Sequence, residues 1–325
     1  MFVHAKASTF HRARPWPSVR RMKPVVKKVL LGVGGVVGLA LLGGAAFVYS
    51  LTSAYATSMD RVYDIPPRAV ALSTDPQVLA RGEHLAKSLG ACAATDCHGA
   101  DMAGGKTMVM GPLGTVTGPN ITSAGMGVVY SDGELARLIQ HGIKKDGRSV
   151  RFMPMQEVGW LPDSDVDAII SYLRSLPAVT KPNGPVEIGL LAKILDRKDG
   201  VVIDVARRID HTRSEVAPPP EPTAAYGRFI AKGCMGCHGE KFSGGPIPGA
   251  PSDIPIPLNI TMHETGLKDW NYDDFAKLLD TGVRKNGQQL NPFMPLEMLT
   301  NMNDVERRAL WAFMQSVPPA AFGNR

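Results

Sequence analysis

The sequence predicts an all-α protein in which two tandem, loop-rich helical domains follow one N-terminal transmembrane helix. Three observations support this fold class: an apolar run of 23 residues, a chain repeat with an offset of 139–141 residues, and helical patterns that frame both copies of the repeat. The predicted segments are a basic cytoplasmic tail over 1–28, a transmembrane anchor over 29–51, linkers over 52–77 and 179–222, and domains over 78–178 and 223–325.

The apolar run Val29–Leu51 carries no charge over its 23 residues, and a bilayer core needs about 20. Residues 1–59 contain eight Lys/Arg and no acid, so the N-terminus is expected to stay in the cytoplasm and the chain after the run to be exported. We therefore expect a single-pass protein of the inner (cytoplasmic) membrane with its domains in the periplasm. A cleaved signal peptide is the alternative, since Ala54–Ala56 fits a cleavage site. Met22 offers a second possible start.

The charge of the exported part argues against nucleic acid as a partner. The chain holds 36 Lys/Arg and 30 Asp/Glu, and eight of the basic residues lie within residues 1–59. The rest of the chain therefore has 28 Lys/Arg against 30 Asp/Glu and is mildly acidic. Nucleic-acid binding needs a basic surface, whereas a mildly acidic surface predicts salt-sensitive docking to basic faces of partner proteins.

One plan occurs twice along the exported chain. A Cys-His-Gly tripeptide, an Asn-Ile-Thr tripeptide, an aromatic residue and a Met-Pro pair follow one another in the same order in both stretches. An internal repeat of this kind indicates a duplicated structural unit. We call residues 78–178 the first copy and residues 223–325 the second copy. The matched positions are Cys97 and Cys237, Asn120 and Asn259, Tyr130 and Trp270, and Met153 and Met294.

Helical patterns frame each copy and are separated by stretches rich in Gly and Pro. These stretches have few periodic apolar residues, so we expect a large buried prosthetic group to supply part of the cohesion. Ser131–Glu134 has the pattern of a capping box that opens a helix, and Asn271–Asp274 is its counterpart. The other predicted helical patterns span Leu79–Ser88, Asp163–Leu176, Ile188–Leu195, Tyr226–Lys232 and Asn303–Val317.

Cys234, Cys237 and His238 form the Cys-x-x-Cys-His pattern of c-type haem attachment. Two thiols add to the two vinyl groups of one porphyrin, and the histidine that follows lies beneath the iron as its proximal ligand. Gly239 leaves room for the chain to turn away. A disulfide or zinc pair with an accidental histidine is the alternative interpretation of these residues.

The first copy departs from this pattern, because four residues separate Cys92 from Cys97 ahead of His98. A longer loop can bulge outwards and leave both sulfurs at the vinyl groups, with His98 still under the iron. Two alternatives stay open: one thioether bond through Cys97, or a domain without haem in which the two cysteines form a disulfide. The rest of the copy is intact, so we expect a haem here and two covalently attached haem c groups in the chain.

A methionine that precedes proline is the predicted sixth iron ligand in each copy. Met153 follows His98 by 55 residues, and Met294 follows His238 by 56. A thioether is a soft neutral donor that favours ferrous iron, which raises the potential and suits reversible one-electron transfer. The alternatives in the first copy are Met108, Met110 and Met155.

These residues make the exported chain resemble two class I cytochrome c domains in tandem, over 78–178 and 225–320. The Asn-Ile-Thr tripeptides, Tyr130 or Trp270, the Phe-Met-Pro tripeptides, and the Ser-Leu-Pro or Ser-Val-Pro endings resemble the cytochrome subunits of bacterial membrane-bound alcohol and gluconate dehydrogenases. Those subunits usually carry three haems, whereas this chain has two attachment motifs. The resemblance implies an electron-transfer subunit.

We expect the chain to take electrons from a membrane or periplasmic donor and to pass them to a respiratory acceptor. Its redox partners would be a dehydrogenase, an oxidase or a soluble cytochrome, and no catalytic residue is assigned. One alternative is a dihaem redox enzyme, such as a peroxidase or a sulfur-compound dehydrogenase, which generally needs an open sixth position or a thiolate ligand. A haem-based sensor is another, and its ferrous form would bind carbon monoxide.

Overall fold

The structure is a computed structural model that describes residues 23–154, 159–198, 200–212, 216–248 and 254–325, without the side chains of residues 127 and 128. The chain divides into one unit that ends at Tyr49 and a second unit, Ser50–Arg325. Most of the predicted basic tail and the alternative ligand Met155 lie outside the described residues.

Helix α1 (Pro24–Met59) contains the whole predicted membrane segment and continues beyond it. Its 36 residues correspond to about 54 Å at 1.5 Å per residue, more than a bilayer core requires. Leucine and valine side chains such as Leu39 and Leu42 are exposed along it. The prediction of one N-terminal apolar helix is confirmed, and this helix is long and apolar enough to cross a membrane. The predicted linker over 52–77 begins inside this helix.

Two helices frame each copy and cross where a glycine faces a carbonyl. In the first copy, helix α2 (Pro76–Lys87) packs on a later helix, Asp163–Ser175, and a Cβ atom on Gly82 would overlap the carbonyl oxygen of Ala168. Helices Ala224–Ile230 and Asp304–Ser316 repeat this crossing in the second copy, with Gly227 against Ala309. Both crossings are therefore so close that only glycine fits.

The Gly227→Ala substitution is expected to lower the free energy of unfolding by about 1–3 kcal/mol, the usual range for an overpacked core. The added methyl group would meet the backbone of Ala309, which cannot move without shifting its helix. Urea unfolding of the full chain measures the effect. Gly233→Ala is the matched control, because nothing lies within 4 Å of its Cβ position. Equal unfolding midpoints for the two variants would contradict this packing argument.

Capping boxes open the middle helices, as predicted. In the first copy, after the short helix α3 (Met126–Val129), helix α4 (Asp132–His141) begins where the Ser131 hydroxyl accepts from the Glu134 N–H and the Glu134 carboxylate accepts from the Ser131 N–H. Asn271 and Asp274 form the same box ahead of Tyr272–Thr281. Helix α5 (Asp163–Ser175) closes the first copy, and helix α6 (Leu190–Arg197) lies in the linker. The helices of the second copy are α7 (Ala224–Ile230), α8 (Lys232–His238), α9 (Tyr272–Thr281), α10 (Leu296–Thr300) and α11 (Asp304–Ser316).

Helices dominate the described residues, as predicted, and one small antiparallel sheet accompanies them. Strands β1 (Met108–Val109), β2 (Gly114–Val116) and β3 (Glu187–Ile188) pair in the order β1-β2-β3. Strands of two or three residues are too short to produce a period-2 pattern in the sequence. The sheet joins the linker to the first copy, and the linker helix α6 starts two residues later than predicted because β3 occupies Ile188.

The two copies share one continuous apolar core. The rings of Trp160 and Phe229 meet edge to face, with their centroids 4.6 Å apart. The side chain of Glu306 is fully buried, and it lies 2.8 Å from His84 Nε2 of the first copy. Direct packing therefore holds the copies together, in addition to the linker.

Candidate haem-binding sites

Helix α8 carries all three residues of the regular attachment motif, and Gly239, which directly follows it, has a left-handed φ of 79°. His238 is only 6% exposed, and its Nδ1 lies 2.8 Å from the carbonyl oxygen of Leu258. Because a carbonyl can only accept, Nδ1 carries the proton and Nε2 keeps its lone pair. Burial lowers the pKa of His238, so the ring is neutral at neutral pH. A histidine that binds a metal needs this protonation state.

The first copy holds its histidine in the same way. His98 is 6% exposed, its Nδ1 lies 2.8 Å from the carbonyl oxygen of Pro119, and burial lowers its pKa. Gly99 follows with a φ of 73°. Pro119 and Leu258 each directly precede the Asn-Ile-Thr tripeptide. The supporting carbonyl therefore comes from the same repeat position in both copies.

The Asn-Ile-Thr tripeptides brace these carbonyls. Asn259 Oδ1 accepts from the Thr261 N–H at 2.9 Å and from its hydroxyl at 2.8 Å, and Asn120 makes the same two bonds to Thr122. Each asparagine also donates from Nδ2 to a carbonyl beyond the last helix of its copy. Those acceptors are Val179 and Ala320. The two asparagines therefore brace the loop that carries each supporting carbonyl.

A largely apolar cleft lies beside His238 in the second copy. Cys237, His238 and Met294 all line it. A neutral imidazole, a thioether and apolar walls fit a haem. The principal apolar side chains of the lining are Leu258, Ile260, Leu267, Trp270, Leu279 and Phe293.

Arg284 is a residue of this cleft that the sequence pattern alone does not single out. Among the described residues of the lining, Arg284 is the only one that is charged when His238 is neutral. A guanidinium at the edge of an apolar cleft suits a carboxylate, such as a haem propionate. The repeat contained a signal for it, because Lys144 is the basic residue 140 positions earlier.

The structure places the candidate sixth ligands in different surroundings. Met294 is partly buried and shares the cleft with His238. Met153 packs instead among the aliphatic side chains around Val205. The alternatives Met108 and Met110 lie in strand β1 and directly after it.

No disulfide joins the four cysteines, all of which the structure describes. Cys92 and Cys234 pack against the shared apolar core. Burial raises the pKa of the Cys92 thiol to about 12, and burial also raises the pKa of Cys97, so both thiols are protonated at neutral pH. The structure therefore does not contain the disulfide between Cys92 and Cys97 that the sequence left open.

Comparisons with known proteins relate the second copy to a family. Residues 224–318 match the family model of cytochrome c. The chain is 37% identical over 107 residues to a gluconate 2-dehydrogenase cytochrome c subunit of Pantoea cypripedii, a match covering 30% of this chain and 24% of the relative. It is 33% identical over 107 residues to the cytochrome c subunit of an alcohol dehydrogenase (quinone) of Gluconobacter oxydans, over 30% of this chain and 22% of the relative.

A third relative is the fructose dehydrogenase cytochrome subunit of Gluconobacter japonicus, 28% identical over 117 residues, which are 34% of this chain and 24% of the relative. The chain thus matches less than a quarter of the length of these three relatives. These findings confirm a cytochrome c domain in the second copy and the predicted relation to dehydrogenase cytochrome subunits. Residues 224–318 form a cytochrome c domain, which implies covalently bound haem c, in a chain homologous to cytochrome c subunits of dehydrogenases.

Proposed function

We propose that the chain is a membrane-anchored dihaem cytochrome c that shuttles electrons in the periplasm between a membrane or periplasmic donor and a respiratory acceptor. The observation that carries this proposal is the repeated support of His98 and His238. Each ring is buried and neutral, and each binds a carbonyl from the same repeat position at 2.8 Å. Two equivalent histidines prepared as metal ligands support two tandem cytochrome c domains with one haem each.

In the second copy, we assign haem attachment to Cys234 and Cys237, proximal ligation to His238 and the sixth ligand to Met294. Bound haem iron supplies reversible one-electron redox chemistry. The Leu258 carbonyl fixes the plane of the imidazole and directs the Nε2 lone pair. The Met294 thioether would occupy the sixth coordination position, and the apolar lining keeps the local dielectric low.

In the first copy, we assign attachment to Cys92 and Cys97, proximal ligation to His98 and the sixth ligand to Met153. The Pro119 carbonyl holds the His98 ring as Leu258 holds its counterpart. The four-residue spacing still leaves Cys97 next to His98, so the thiol beside the proximal ligand keeps its usual place.

Helix α1 and the similar proteins support the proposal that the chain is one subunit of a membrane-bound assembly. Helix α1 would anchor the chain to the membrane. Relatives named as cytochrome subunits of gluconate, alcohol and fructose dehydrogenases support a dehydrogenase as the electron donor. In that assembly the chain would receive electrons from a catalytic subunit, with an oxidase or a soluble cytochrome as the acceptor.

Detergent extraction of the full chain from its native membrane tests this proposal. We expect intact mass under denaturing conditions to show two covalent haems, and a co-purifying dehydrogenase to reduce both when its substrate is added. A mass with one haem or none would reject the dihaem assignment. A high-spin ferric spectrum together with peroxide turnover would reject electron carriage in favour of a redox enzyme.

A further inference from the structure

We propose that Thr95 and Glu297 position the two haem sites against each other for direct electron passage between the copies. The inference rests on the proposed dihaem function and adds to it a contact and a role for the unusual cysteine spacing. Thr95 lies between the two cysteines of the first copy, and Glu297 lies three residues after Met294 in the second copy.

One carboxylate accepts hydrogen bonds from both donor groups of Thr95. The Thr95 N–H donates to Glu297 Oε2 at 2.8 Å, and the Thr95 hydroxyl donates to Oε1 at 2.8 Å. Hydrogen bonds to an ionised carboxylate are stronger than neutral ones, and two that converge on one residue also fix its orientation. Glu297 belongs to helix α10, which begins directly after the Met294-Pro295 pair.

Glu297 links the attachment loop of the first copy to the helix that follows the proposed iron ligand of the second copy. Thr95, whose N–H donates to Glu297, lies two residues before Cys97. The helix that contains Glu297 begins two residues after Met294. Since consecutive Cα atoms are about 3.8 Å apart, the Cα of Glu297 lies within about 11 Å of that of Met294.

The four-residue spacing makes this contact possible. In the second copy the two residues between the cysteines lie inside helix α8. In the first copy the corresponding segment is a series of turns, in which the Cys97 N–H bonds to Ala94 O at 2.8 Å and the His98 N–H bonds to Cys92 O at 3.1 Å. Thr95 lies at an exposed point of these turns, with its N–H directed to Glu297. The longer loop is thus a docking element between the copies.

Other contacts hold the copies together without Thr95. Trp160 packs on Phe229, and Glu306 bonds to His84 with its carboxylate fully buried. Loss of the exposed contact at Glu297 should therefore loosen the approach of the two haem-bearing loops and leave the shared core intact. In the step that this contact would serve, one electron would pass from a ferrous haem in one copy to a ferric haem in the other, with no atom or proton transferred.

The test compares Glu297→Ala with Glu264→Ala in the full haem-loaded chain in detergent. Both variants remove one exposed acid from the second copy. For Glu297→Ala we expect electron equilibration between the haems after flash reduction to slow about tenfold, equivalent to ~1.4 kcal/mol. Pulsed electron paramagnetic resonance should show a broader iron–iron distance distribution, and the Thr95 amide should lose protection from hydrogen exchange. Glu264→Ala should match the unmodified chain.

Thr95→Val is a second variant that removes only the hydroxyl bond, and its slowing should be smaller than that of Glu297→Ala. Equilibration rates, distance distributions and Thr95 exchange that are the same in Glu297→Ala and Glu264→Ala would overturn the positioning role. Intact mass separates this failure from a failure of the proposed function. A chain with two haems and unchanged rates rejects the role of Thr95 and Glu297 alone, whereas a chain with one haem rejects the dihaem function.

Discussion

The Met294→Ala substitution is expected to lower the reduction potential of the second-copy haem and to let its ferrous form bind carbon monoxide. Met294 lines the same cleft as His238, and a thioether stabilises ferrous iron, so its removal favours the ferric state. The shift should be on the order of 0.1 V, within the ~0.8 V range over which axial ligands set haem potentials. The opened coordination position would then accept carbon monoxide.

Redox titration and carbon monoxide difference spectra of the full chain measure this effect. Met298→Ala is the matched control, because Met298 is a partly buried methionine on the adjoining helix α10 that packs against the apolar core. It should leave both the potential and the resistance to carbon monoxide unchanged. An unaltered potential and spectrum in Met294→Ala would show that another group holds the sixth position.

Local features of this fold were predictable because they depend on a few neighbouring residues. The capping box at Ser131–Glu134 and the helices next to the cysteines were predicted, and they form within a few residues of the predicted bounds. The motif Cys234–His238 identifies haem chemistry for the same reason, since its spacing matches the porphyrin directly. The family match over residues 224–318 then agrees with an assignment made from five residues.

Long-range features of the sites could not be predicted. The carbonyls of Pro119 and Leu258 support the histidines, but a backbone carbonyl has no signature in the sequence. Arg284 enters the cleft only once the chain after helix α9 has folded back against it. The contact between Thr95 and Glu297 joins positions 202 residues apart, and no periodicity connects them. A pattern predicts which chemistry a residue offers, whereas packing decides which residues meet.

Asymmetry between the copies follows from these contacts. The second copy keeps its cysteines inside helix α8, where the backbone is hydrogen-bonded within the helix. In the first copy a loop replaces that helix, and the backbone of the loop donates a hydrogen bond to the second copy. The two attachment sites are therefore expected to tolerate the loss of one thiol differently, and the first copy is the place to test it.

The Cys97→Ala substitution is expected to remove one covalent haem from the chain, whereas Cys92→Ala should keep both. Cys97 directly precedes His98, so iron ligation by His98 brings one vinyl group to the Cys97 thiol and favours addition there. Cys92 lies five residues further back along the loop and depends on the turns for its position. Its thioether is therefore the dispensable one.

Intact mass under denaturing conditions measures the result, because haem that is not covalently bound dissociates from the unfolded chain. Cys237→Ala is the matched control, since it removes the equivalent thiol beside His238 and should remove the covalent haem of the second copy. Two covalent haems in Cys97→Ala would show that the first copy does not attach haem through this residue. Loss of one haem in Cys92→Ala would instead mean that the bulged loop must place both sulfurs at the vinyl groups before either bond is stable.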